Sequence, residues 1–133
     1  MKVISDDIKK GEFKSVYLLY GEEEYLKKQY RDRLKNAIAG DDTMNYSYYD
    51  SDNASVKDII DVCETLPFFA QKRLVIMENT GFLKSSNDEL ADYIKHIPDY
   101  LVVVMVEKDV DKRNKVYKAV SYTHLTLPTN SLV

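Results

Sequence analysis

The chain contains a single cysteine, Cys63, among 133 residues. One thiol cannot close an internal disulfide, has no second thiol with which to build a metal site, and fits a reducing, cytoplasmic setting. Charge of one sign is also lacking. A net charge of -3 gives no overall attraction to nucleic acid, so any DNA contact would need a local basic patch or basic partner subunits. No apolar run approaches the roughly 20 residues needed to span a bilayer, and no charged-then-apolar leader opens the chain. These absences exclude a membrane partner and lead to the expectation of a soluble protein. The length is that of one ordinary domain, enough to bury about two-thirds of its unfolded surface.

What is present is an alternation of strand and helix patterns. Residues 3–13 suggest a short amphipathic start, with Ser5 as N-cap, Ile8 inward and Gly11 at the stop. Residues 16–20 form a continuous apolar run of strand formers, as in a strand covered on both faces. From residue 23 to 39, Leu26, Tyr30, Leu34, Ala37 and Ile38 recur at helical spacing behind an acidic first turn, and Gly40 ends the pattern. Residues 46–50 read as a second strand, whose Tyr46, Tyr48 and Tyr49 suit a sheet edge better than base stacking. Ser55 and Asp58 signal a cap for a helix with Val56, Ile59, Ile60, Cys63 and Leu66 on its core face. Residues 73–77 give a third strand. Ser86 and Glu89 signal another cap, for a helix with Leu90, Tyr93, Ile94 and Ile97 inward and Pro98 beyond it. His96 on that helix has no second ligand nearby and reads as solvated. Residues 101–106 are the most apolar strand and hence central, and Lys108, Lys112, Arg113, Lys115 and Lys118 follow around a last helix, where a solvated face is preferred to a phosphate contact. Together these give a three-layer α/β domain with a largely parallel sheet of about four strands and no convincing fifth.

The first strand, Gly21 and the following helix stand in the context of a phosphate-binding loop. Such a loop needs a glycine at each end, then a lysine and a hydroxyl for magnesium. Here Gly21 and Lys27 fit, but Leu26 takes the second glycine's place and Lys28 the hydroxyl's, while Glu22, Glu23 and Glu24 would repel a polyanion. The loop is degenerate, and neither a nucleotide, a metal nor any other cofactor is expected.

The informative stretch is Glu64 to Met77, ETLPFFAQKRLVIM. A helix's core face precedes it and a buried strand closes it, while Phe68 and Phe69 fall in the connection. Pro67 lacks an N–H and turns the chain there. Two readings stay open from the residues alone: rings folded back as core plugs, or rings presented at a loop tip, where aromatic anchors dominate interface energies.

Three segments carry a resemblance that bears on this choice: the run from Val16 to Leu26, LPFFAQKRLVIMEN from Leu66, and IPDYLVVVMVEKDVDKRNKVYKAV from Ile97. In order and spacing they resemble the N-terminal domain of the delta subunit of the bacterial DNA polymerase III clamp loader, over residues 1–119. The resemblance implies an AAA+ type fold that does not hydrolyse ATP, and a non-catalytic subunit of a DNA replication complex whose polymerase activity lies elsewhere. It implies a hydrophobic wedge, between this helix and strand, that binds the sliding clamp and helps to open its ring. Leu66, Pro67, Phe68 and Phe69 would be the clamp-binding residues, and Glu64, Gln71, Lys72 and Arg73 rim contacts. Glu64 and Phe68 depart from the family's glutamine and leucine, so the apolar part of the pattern is kept and the polar part is not. Partners would be the sliding clamp, the other loader subunits through later helical domains, and DNA through the assembled complex.

Residues 120–133 do not resemble the family. VSYTHLTLPT, from Val120, resembles a frame-translation of a transposon-end sequencing adaptor, which leads to the expectation of a non-native tail that neither continues the helix nor gives the sheet its fifth strand, and in which His124 has no role. The rival reading is an enzyme, nucleotide-dependent or Rossmann-like, using Glu22 to Glu24, Glu78 or Glu107 at the carboxyl ends of the strands.

Overall fold

A computed structural model of the chain describes residues 2–129. Five strands, β1 (Val16–Tyr20), β2 (Tyr46–Tyr49), β3 (Arg73–Glu78), β4 (Leu101–Glu107) and β5 (Leu125–Pro128), form one parallel sheet in the order β2-β3-β4-β1-β5. Five helices connect or precede them: α1 (Lys2–Lys10), α2 (Glu24–Ile38), α3 (Val56–Cys63), α4 (Asp88–Ile94) and α5 (Lys115–Thr123).

The strand order determines which face each helix covers. The step from β1 to β2 runs one way across the sheet, while the steps from β2 to β3, β3 to β4 and β4 to β5 all run the other way. Crossovers are right-handed, so α2 must lie on one face and α3, α4 and α5 on the opposite one. The core divides accordingly. Tyr17, Leu19, Leu74, Ile76, Val102 and Val104 pack with Ile4 of α1 and with Tyr30 and Leu34 of α2. Val16, Leu18, Val75, Met77, Val103 and Met105 pack with Ile59 and Cys63 of α3, Leu90 and Ile94 of α4, and Val116 and Val120 of α5. Alternate residues of each strand thus serve opposite layers, which is why these strands read as unbroken apolar runs.

Several local expectations need correction. The sheet has five strands and not four: β5 pairs in register with β1, from Tyr17 with Leu125 to Tyr20 with Pro128, and buries Leu127. Its sequence is too short to announce itself, and Pro128 is tolerated because it ends an edge strand. The last helix continues through Thr123 rather than stopping at Val120, since Val120 is fully buried in the core. His124 closes that helix and places Nε2 2.9 Å from the carbonyl oxygen of Ile94. Residues 130–133 of the expected tail lie outside the described residues.

Ser5 lies within α1 and receives Arg33 Nη2 at 3.1 Å instead of capping. Ala37 is exposed, because the α2 face against the sheet is set by Tyr30 and Leu34. Ser55 does cap α3, accepting from the Asp58 N–H, but α4 begins after Asn87 rather than at Ser86. The cap of α5 is Asn114, whose side chain accepts from the N–H groups of Val116 and Tyr117.

Candidate functional site

The two ends of the sheet differ in what they leave open. At the carboxyl end, the direction of the connections reverses between β1 and β4, the place where open parallel sheets ordinarily bind ligands. Here the protein fills much of it. Lys27 is buried and donates from Nζ to Glu24 Oε1 at 2.7 Å and to the carbonyl oxygen of Glu107 at 3.3 Å. That carbonyl also accepts the Gly21 N–H at 3.2 Å. A Cβ on Gly21, whose φ is +132°, would meet Thr129 Oγ1 at 1.9 Å. Glu78 is paired with Arg31 of α2. Glu107 is buried and accepts from the Thr80 N–H at 3.1 Å; burial pushes its carboxyl above the ordinary range, against the opposing effect of the hydrogen bonds it accepts.

Of the degenerate loop residues, Lys27 points inward to its own chain, Leu26 is half-buried and Lys28 is exposed. A depression of about 640 Å³ remains beside Gly21, with Lys84, Lys108 and Lys112 set against Glu22 and Asp109. One pair among these charges is closed, with Lys84 3.3 Å from Asp109. Among the described residues, no group of three His, Cys, Asp or Glu side chains could hold a metal ion, and no helix is long and apolar enough to cross a membrane.

The amino end carries the apolar surface. The connection from α3 to β3 projects Leu66, Phe68 and Phe69 at 72%, 54% and 94% exposure. Leu66 thus does not join the core face of α3, because the helix ends at Cys63 and Pro67 carries the chain away. The two phenylalanine rings meet edge to face with centroids 4.4 Å apart, so they form one unit rather than two independent side chains. Phe69 has φ +54°, a left-handed conformation that costs a non-glycine residue about 1–2 kcal/mol and must be maintained by its surroundings.

Two buried polar side chains brace the loop on either side of Pro67. Asn45, 3% exposed and immediately before β2, accepts the Phe68 N–H on Oδ1 at 2.6 Å and donates from Nδ2 to the Phe68 carbonyl at 2.8 Å. Arg73, the first residue of β3, donates from Nε to the Thr65 carbonyl at 2.8 Å and from Nη2 to that of Leu66 at 3.3 Å. Its Nη1 lies 3.4 Å from the Met44 carbonyl, tying the loop to the segment before β2. Met44 itself is 63% exposed and extends the apolar surface at this end.

Arg73 was expected at the rim of a contact, but it is buried beneath the loop because its guanidinium satisfies carbonyls that Pro67 and the helix terminus leave without backbone partners. Glu64 and Gln71 are exposed, and Lys72 reaches the Asp99 carbonyl at 2.7 Å. Sequence reasoning missed Asn45 and Met44. The available signal was an amide directly before a strand that must lie beside β3.

Fold and site together define a parallel α/β domain whose degenerate phosphate loop is filled by its own side chains at one end and whose apolar loop stands exposed at the other. The sequence profile of the family described as DNA polymerase III, delta subunit, matches residues 17–127, and the chain belongs to that family. It is 32% identical over 125 residues to DNA polymerase III subunit delta of Bacillus subtilis (strain 168), covering 84% of this chain and 36% of that protein. The solved structure of the Bacillus subtilis DNA clamp loader delta protein superposes with a TM-score of 0.83 at 28% identity, over 96% of this chain and 41% of that one. A DNA polymerase III gamma subunit-related protein from Thermotoga maritima shares the fold, with a TM-score of 0.66 at 11% identity over 94% of this chain and 45% of that one. The chain thus spans about two-fifths of its relatives' length.

Proposed function

We propose that the chain acts in bacterial DNA replication as the clamp-contacting part of a clamp-loader delta subunit, without catalytic activity of its own. The exposed Phe68–Phe69 pair carries the reading. Large apolar side chains left open on a braced loop, with Leu66 and Met44 exposed beside them, are suited to a partner's apolar pocket. Leu66 and Pro67 shape the approach, and Glu64, Gln71 and Lys72 surround it as polar rim. Insertion of the rings between elements of the clamp helps to open its ring; the remaining loader subunits and DNA are engaged by the assembled complex. The inward commitment of Lys27 and the contact of Thr129 with Gly21 support a nucleotide-free role over the nucleotide-dependent enzyme reading.

The test is calorimetric titration of the chain into a bacterial sliding clamp, with Phe68→Ala/Phe69→Ala as control and circular dichroism to establish folding. Burying an aromatic side chain contributes about 1.5–3 kcal/mol. Scaled by the exposure of the two rings, the double variant should lose roughly 2–5 kcal/mol, a weakening of about 30-fold or more. Equal affinity of the folded double variant, or a folded wild-type chain that ignores the clamp, would remove the proposal.

A further inference from the structure

We infer that Asn45 is a positioning residue for the clamp-binding loop: it acts on the clamp through Phe68 and Phe69 without touching it. The inference rests on the clamp reading above and adds to it a residue from a different connection of the fold.

Asn45 pairs with Phe68 as a neighbouring strand would, offering one acceptor and one donor to the backbone N–H and C=O of the same residue, at 2.6 and 2.8 Å. Only an amide carries both functions in that geometry. Its orientation is fixed from behind: Nδ2 also donates to Asp42 Oδ2 at 2.7 Å, so the nitrogen and oxygen cannot exchange places without setting two acceptors against each other. The backbone is fixed too, since the Asn45 N–H donates to Asp42 Oδ1 at 3.1 Å and its carbonyl accepts the Leu74 N–H at 2.8 Å. Asn45 therefore transmits the rigidity of β3 and of the turn at Asp42 to the residue beside Phe69, whose left-handed φ would relax if the clamp on Phe68 were released. A loop already ordered in its bound shape loses less entropy on binding, so the effect falls on affinity.

The experiment measures clamp affinity for the full chain, for Asn45→Ala and the isosteric Asn45→Asp, and for each combined with Phe68→Ala/Phe69→Ala. Chymotrypsin cleavage after residues 68 and 69 is followed in parallel, without clamp. The expected result is folded Asn45 variants that bind about ten- to a hundredfold more weakly and are cleaved faster at the loop. Once both rings are gone, changing Asn45 should cost no further affinity, a non-additivity that general destabilisation would not produce. If Asn45→Ala does not fold, Asp42→Ala releases the same amide from a half-exposed position and should weaken binding in the same direction. Wild-type affinity in the folded Asn45 variants, or losses that simply add to those of the rings, would overturn the inference while leaving the clamp reading intact. A wild-type chain that does not bind the clamp would instead overturn that reading, and this role with it.

Discussion

Ending the chain after Thr123 removes β5 while keeping α5, and the structure specifies the cost. Leu127 is buried against the α1–α2 layer, and its loss forfeits about 1.5–3 kcal/mol of apolar burial. The ladder to β1 spans four paired positions, with each net hydrogen bond contributing about 0.5–1.5 kcal/mol. The contact of His124 with the Ile94 carbonyl is lost as well. The total is roughly 4–9 kcal/mol, set against the 5–15 kcal/mol by which domains are ordinarily stable. At about 3–5 °C per kcal/mol for a chain of this length, the thermal midpoint should fall by roughly 10–45 °C, and the bared edge of β1 should promote aggregation. Thermal and urea denaturation followed by circular dichroism, with light scattering, give the comparison, and Leu127→Ala in the full chain provides a graded control at about 2–5 kcal/mol. A truncated chain with an unchanged midpoint and no aggregation would refute the assignment of residues 125–128 to the sheet's stability.

Two further outcomes test the other end of the sheet and the core. Lys27→Met should be close to neutral in denaturant unfolding, within about 1 kcal/mol, because Glu24 is solvated and the Glu107 carbonyl retains the Gly21 N–H, so no buried group is orphaned; a loss above about 3 kcal/mol would show that the ammonium is a net support. Burial pushes the Cys63 thiol up to about 12, and the thiol is almost fully covered, so a thiol reagent at pH 8 should react only after unfolding. Because the native thiol holds its proton where the unfolded one, near 9.0, releases it, stability from this group is complete below that value and declines as pH rises towards about 12; stoichiometric labelling of the native chain would contradict its placement.

The fold was largely legible because the central strands are covered on both faces. VYLLY, RLVIM and LVVVMV have no polar alternation to confuse the reading, and α2 shows its inward face through Tyr30 and Leu34. β5 was not legible. LTLP acquires its strand geometry from β1, to which it is joined only after α5 has crossed the sheet, and no local pattern reports that template. The site divides in the same way. Pro67 and the two filled neighbours set Phe68 and Phe69 in a connection, but the residues alone left core plugs and a loop tip both open, and the exposure of the rings decides between them. The supports were hidden, because Asn45 acts on a backbone 23 residues away and Arg73 looks like the exposed start of a strand. Both satisfy carbonyls or N–H groups, and a sequence says little about which backbone groups will lack partners.

The two ends of the sheet are linked by this economy of polar groups. A phosphate loop keeps its amides and lysine open for a ligand and leaves them to be satisfied by that ligand. In this chain Lys27 finds Glu24 and the Glu107 carbonyl, the Gly21 N–H finds the Glu107 carbonyl, and Arg31 finds Glu78. Those contacts make the carboxyl end self-sufficient. At the amino end the polar groups are satisfied as completely, by Asn45 and Arg73, but the apolar ones are not: Leu66, Phe68, Phe69 and Met44 remain open to water. At this loop the surface left open is therefore apolar rather than polar, which suits the proposed contact with an apolar pocket of another protein better than binding of a small anion.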